Sequence, residues 1–106
     1  MSKSTNERSF TRFVANLKGT FRIKGSIESV ECTIVNISRK GLGIELNTRE
    51  RIRKGSIIYI EIYPPRELSP INLKGTIKWI KQEEGKLEGG IELSNVLDDD
   101  VLARLS

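Results

Sequence analysis

The sequence contains no histidine and a single cysteine, Cys32. The first absence removes the commonest general base and the commonest metal ligand together. The second excludes an internal disulfide, fits a reducing compartment, and leaves a zinc site almost without ligands. Long hydrophobic runs are missing too. The longest, Ile57 to Ile60, is far too short to cross a bilayer, so no membrane insertion is expected. Met1 to Arg8 is polar with no apolar stretch behind it, so no signal peptide is read and the expected location is cytoplasmic. Aromatics are few: three Phe, two Tyr and one Trp. Surfaces that bind single-stranded nucleic acid usually display several aromatics for base stacking, which makes nucleic acid the weaker candidate partner. These gaps describe a binder, not an enzyme, with no metal and no cofactor.

The 106 residues support one domain with one core, and 37% hydrophobic with 30% charged residues is ordinary for a soluble globular protein. The net charge is +4 and the pI about 9.4, which favours an anionic partner. The charge is unevenly spread. Lys3, Arg8, Arg12, Lys18, Arg22 and Lys24 face only Glu7 in the first part of the chain, while Asp98, Asp99 and Asp100 sit near its end. The anion site is therefore expected toward the N-terminal half.

From Val14 onward short runs alternate apolar and polar residues, the period of a half-buried sheet. Leu73, Gly75, Ile77 and Trp79 share one face, which places Trp79 in the core, with a position at the rim of the binding site as the second reading. Ile58, Ile60 and Ile62 repeat the pattern, as do Leu42, Ile44 and Leu46, and then Ile91 and Leu93. Lys24-Gly25-Ser26, Lys54-Gly55-Ser56 and Glu84-Gly85-Lys86 read as tight turns, and Pro64, Pro65 and Pro70 as a longer loop. One helix is expected at about 95–105, capped by Ser94 or Asn95, with the three aspartates at its positive end and Val101, Leu102 and Leu105 as its apolar stripe. The fold class expected from the pattern is mainly β: a small, largely antiparallel barrel closed by one short C-terminal helix. Residues 1–7 are expected to be a flexible tail and 8–106 the domain.

Two short motifs carry the chemistry. Arg8-Ser9-Phe10-Thr11-Arg12 places two arginines four apart before the sheet, and Asn36-Ile37-Ser38-Arg39-Lys40-Gly41 joins two strands. Arg12 and Asn36 lie 24 positions apart, enough for a strand, a turn and a second strand. Together these motifs resemble the RxxxR and [D/N]xSxxG motifs of the PilZ domain family. Leu42-Gly43-Ile44, Lys54-Gly55, Gly75-Thr76-Ile77-Lys78-Trp79 and Gly89-Gly90-Ile91-Glu92-Leu93 agree with it in order and spacing.

The resemblance implies a six-stranded antiparallel β-barrel with a short C-terminal α-helix, and a receptor or adaptor for cyclic di-GMP, with Arg8, Arg12, Asn36, Ser38 and Gly41 as the ligand-binding residues. Those residue types suit two phosphates and two guanines. An arginine fork grips a phosphate or a guanine O6/N7 edge with paired hydrogen bonds. Asn36 offers a donor and an acceptor, Ser38 an adaptable hydroxyl, and Gly41 either room beside the backbone or a positive φ. Many members carry Asp at position 36 and a further arginine at position 7, where this chain has Asn36 and Glu7. The first exchange keeps an acceptor; the second leans toward one ligand per domain. Binding would draw the arginine arm over the ligand, and a protein partner would read the moved surface in motility or exopolysaccharide regulation. The alternatives are a basic barrel binding RNA or single-stranded DNA, and an adaptor of the same fold without ligand binding. The stretch Arg39, Lys40, Arg49, Arg51, Arg53 and Lys54 reads as solvated strand ends, with a partner surface as the second option.

Overall fold

A computed structural model describes residues 11–46 and 52–106. Its strands are β1 (Phe13–Ile23), β2 (Val30–Ile37), β3 (Gly41–Leu46), β4 (Ile57–Ile62), β5 (Ile71–Glu83) and β6 (Lys86–Leu93). All pairings are antiparallel, and the order β1-β2-β3-β6-β5-β4 closes into a barrel. Closure leaves no unpaired edge, so every strand can hold one apolar face inward. The alternation expected from the sequence is what fills the interior. Ile58, Ile60 and Ile62 from β4, Leu42, Ile44 and Leu46 from β3, and Ile91 and Leu93 from β6 are all buried around Phe21, Ile34 and Ile77. Burial of each such side chain contributes about 1.5–3 kcal/mol.

The turns follow the glycines. Glu83 pairs with Lys86, so Glu84 and Gly85 form a two-residue connection, with φ of 43° and 81°. Two positive φ values in succession match the right-handed twist of a hairpin, which is why glycine is needed there. Pro64, Pro65 and Pro70 occupy the connection between β4 and β5, as expected.

The helix, α1 (Asp99–Leu105), begins later than the sequence suggests. Ser94 and Leu97 still donate backbone hydrogen bonds to the barrel, to Lys74 O at 2.9 Å and Arg39 O at 2.7 Å. The chain cannot turn helical until those bonds are left behind. Asp98 is therefore the cap, extended in backbone, with its carboxylate accepting from Val101 N at 2.9 Å. Leu105 is buried, Val101 and Leu102 pack against the core, and Arg104 grips Glu67 of the proline loop with two nitrogens. These contacts stabilise a seven-residue helix that could not stand alone.

Three irregularities interrupt the ladders: on β1 between Val14 and Leu17, on β2 between Ile34 and Asn36, and on β5 between Ile77 and Trp79. The last overturns the core placement of Trp79. Ile77 faces Ile91, but the next paired residue is Trp79 opposite Gly90, so Lys78 is an extra residue and the alternation inverts. Trp79 consequently lies outside the barrel, 48% exposed.

Candidate functional site

Antiparallel pairing of β1 with β2 sets Phe13 opposite Ile37 and Val14 opposite Asn36. Arg12, one residue before β1, is thereby carried to the end of β2, and its Nη1 donates to Asn36 Oδ1 at 2.6 Å. Two of the residues expected at the site thus meet across 24 positions of sequence.

The bulge at Val35 decides where Asn36 points. Asn36 is the partner of Gly43, Gly43 of Gly90, and Gly90 of Trp79, so these four form one outward-facing row across β2, β3, β6 and β5. The two central members have no side chains, and the outer two lean over them. A Cβ on Gly43 would come within 2.3 Å of the Asn36 amide, and one on Gly90 within 2.0 Å of the Trp79 indole nitrogen. The amide thus covers Gly43 and the indole covers Gly90, and beside them runs a trough between the Arg12 guanidinium and the indole. Arg12, Ser38, Gly41, Trp79, Gly90 and Glu92 border a volume of about 280 Å³ there.

Ser38 and Gly41 build the end of the trough. Ser38 is 4% exposed, and its hydroxyl accepts from Gly41 N at 3.0 Å while its own N–H donates to Gly41 O at 2.8 Å. The hydroxyl is engaged inside the turn, so Ser38 fixes the shape on which the other groups stand. Gly41 has no positive φ; space is the reason for it. A Cβ there would sit 3.0 Å from Ile91 O and 3.7 Å from Arg12 Nη2. The close neighbour is the Ile91 carbonyl, while the guanidinium lies over this position at ordinary contact distance.

Arg39, between Ser38 and Gly41, is not the solvated strand end that the sequence suggested. Its Nη1 donates to Leu97 O at 3.1 Å, and its other terminal nitrogen pairs with the Asp99 carboxylate. The turn is therefore fastened to the start of α1. Arg53 and Lys54 are exposed, whereas Arg49 and Arg51 lie outside the described residues. So do Arg8, Glu7 and the rest of residues 1–7.

Sequence reasoning missed Gly43 and Gly90 as parts of this surface and ranked the rim position of Trp79 second to the core. The glycines were visible in the motifs, but only the strand order makes them neighbours. Glu92 stands outward opposite Gly41, with Lys78 Nζ at 3.6 Å from its carboxylate. A larger cavity of about 660 Å³, touching Arg22, Tyr59, Lys74 and Val96, contains none of the expected site residues. Cys32 offers no nucleophile: burial pushes its thiol up to about 12, so it stays protonated at neutral pH. Among the described residues no cluster of three or more acidic or thiol side chains is arranged to hold a metal. No helix among them is long and apolar enough to cross a membrane.

Comparison with known proteins places these features in a family. The PilZ domain model matches residues 6–106. No curated protein matches the chain. Among solved structures, the Bacillus subtilis inhibitor of motility (MotI/DgrA) superposes with a TM-score of 0.72 at 20% identity, covering 92% of this chain and 47% of that one. The present chain thus spans about half the length of that protein. The PilZ domain with c-di-GMP of YcgR from Escherichia coli gives 0.70 at 14% identity, over 91% of this chain and 83% of that one. At such identities the likeness is one of fold.

Proposed function

The chain belongs to the PilZ domain family, and from that premise we propose that it is a cytoplasmic receptor for cyclic di-GMP, which it binds in the trough. One observation carries the reading: Arg12, bonded to Asn36, lies over Gly41 in a trough closed on its far side by Trp79. The bond to Asn36 uses one of the five N–H donors of the guanidinium. The others remain for a phosphate or a guanine Hoogsteen edge, in a geometry that lysine cannot supply. The glycines let the amide and the indole lie close against the sheet, and the indole offers a flat base a stacking face. The Ser38 turn holds this arrangement in register.

Arg8 is assigned the second grip of the same motif, and the binding unit runs from Arg8 to the end of α1. Bringing both arginines onto the ligand costs the conformational entropy of the segment between them. The rearranged surface is what a protein partner would read, in motility or exopolysaccharide control. With Glu7 in place of a further arginine, one ligand per domain is the expected stoichiometry. The protein acts by binding and carries out no chemistry on the nucleotide.

Calorimetric titration with cyclic di-GMP, with GTP and cyclic GMP as controls, tests this reading. Arg8→Ala and Arg12→Ala should each weaken binding by roughly ten- to hundredfold, the loss of one bidentate contact. Thermal stability should hardly change for Arg12→Ala, because that side chain is exposed. Wild-type affinity in both variants would remove the arginine grip from the mechanism.

A further inference from the structure

Glu92 is a carboxylate beside a site read as anion-binding, where simple electrostatics disfavours one. Its position is specific. It faces outward on β6, directly opposite Gly41 on β3 and Thr76 on β5. Arg12 lies over that same Gly41, 3.7 Å from where its Cβ would be. With no side chain at Gly41, nothing at that position separates the guanidinium from the carboxylate. Both border the trough that Trp79 closes.

A guanidinium and a carboxylate converging on one trough complement the edges of a single base. Guanine presents two acceptors, O6 and N7, on its Hoogsteen edge and two donors, N1–H and the N2 amine, on its Watson–Crick edge. Adenine has an acceptor at N1 and would set a lone pair against the carboxylate. We propose that Glu92 is the guanine-specificity determinant of this site, accepting from N1–H and the N2 amine of one base while Arg12 engages the adjoining edge. The proposal rests on the trough being the cyclic di-GMP site. Lys78, 3.6 Å from Glu92 and exposed, holds the carboxylate outward until the base replaces it.

The readout is a ratio of affinities. Removing a negative charge near two phosphates strengthens every cyclic dinucleotide alike, so affinity for one ligand cannot isolate the base contact. Cyclic di-GMP is therefore titrated beside cyclic di-IMP, which keeps O6, N7 and N1–H but lacks the N2 amine, and beside cyclic di-AMP. Wild type should prefer cyclic di-GMP over cyclic di-IMP by roughly tenfold, the value of one hydrogen bond to a charged acceptor. In Glu92→Ala that preference should fall to within about twofold, with affinity for cyclic di-IMP unchanged or improved. Glu92→Gln, which preserves size and one acceptor, should fall between them. An undiminished preference in both variants overturns the role of Glu92 while leaving the site intact. Absence of binding by wild type to any of the three overturns the site and this inference together.

Discussion

The inside and the outside of this barrel are made from the same strands and follow opposite rules. Inside, the pattern is regular: Ile58, Ile60 and Ile62, or Leu42, Ile44 and Leu46, alternate without a break and are buried. Outside, along the row from Asn36 to Trp79, alternation is interrupted on β2 and β5, and two of four positions are glycine. A single slip in a buried strand would turn its apolar set to solvent, and on β2 the extra residue Val35 is what keeps both Ile34 and Ile37 inward. The outer row is under no such constraint. A bulge there re-aims one amide or one indole at little cost to the core. Regularity makes the fold, and its local failure makes the site.

Glycine separates the two environments most sharply, and Gly75 gives the largest effect on folding. Gly75 on β5 faces inward, where a Cβ would lie 2.6 Å from Ile91 Cγ2 and 2.7 Å from the Glu92 carbonyl oxygen. The isoleucine is buried and the carbonyl belongs to a paired strand, so neither can withdraw. Gly75→Ala should therefore cost about 1–3 kcal/mol, the usual penalty of overpacking. Urea unfolding measures it, and a loss below half a kcal/mol would show the interior to be looser than its alternation implies.

Cys32 sharpens the comparison along one strand, because it faces inward on β2 four residues before outward-facing Asn36. Its thiol is raised from 9.0 to about 12 by burial, so the folded state favours the neutral form. That contribution is complete below pH 9 and is lost as pH rises toward 12, by at most about 1.4 kcal/mol per pH unit. Lysines and tyrosines titrate in the same range, so the variant supplies the reference. Between pH 8 and pH 10.5, wild type should lose about 2 kcal/mol more unfolding free energy than Cys32→Ala. Equal losses would mean that water reaches the thiol.

The same contrast explains what could be read before the structure. The alternating runs that became β3 to β6, the glycine turns and the terminal helix follow from period and turn chemistry, which are local, whereas the count of six strands came with the family resemblance. Arg12, Asn36, Ser38 and Gly41 were legible as motif residues. Trp79 was misplaced because alternation through Lys78 puts it inside, and no local signal marks a bulge. The start of α1 was misjudged because Ser94 and Leu97 spend their backbone donors on Lys74 and Arg39, distant partners in sequence. Arg39 looked solvated for the same reason, its partners being Leu97 and Asp99. What escaped the sequence in each case depends on pairing between strands.

The smallest effect on folding is expected at Gly90, where the consequence for binding should be the greater one. A Cβ at Gly90 overlaps the Trp79 ring, 2.0 Å from its Nε1, but the ring is half exposed and free to swing outward. Gly90→Ala should therefore change stability by less than about 1 kcal/mol, the ring's displacement being partly offset by the lower chain entropy of alanine. Trp79 is the only tryptophan, so its emission reports the displacement directly and should shift to longer wavelength. The stacking face of the trough would be moved, so cyclic di-GMP affinity should fall by at least about tenfold. A variant that binds as wild type while its emission shifts would place the ligand away from the indole. One as destabilised as Gly75→Ala would erase the distinction between a packed interior and a surface with room to move.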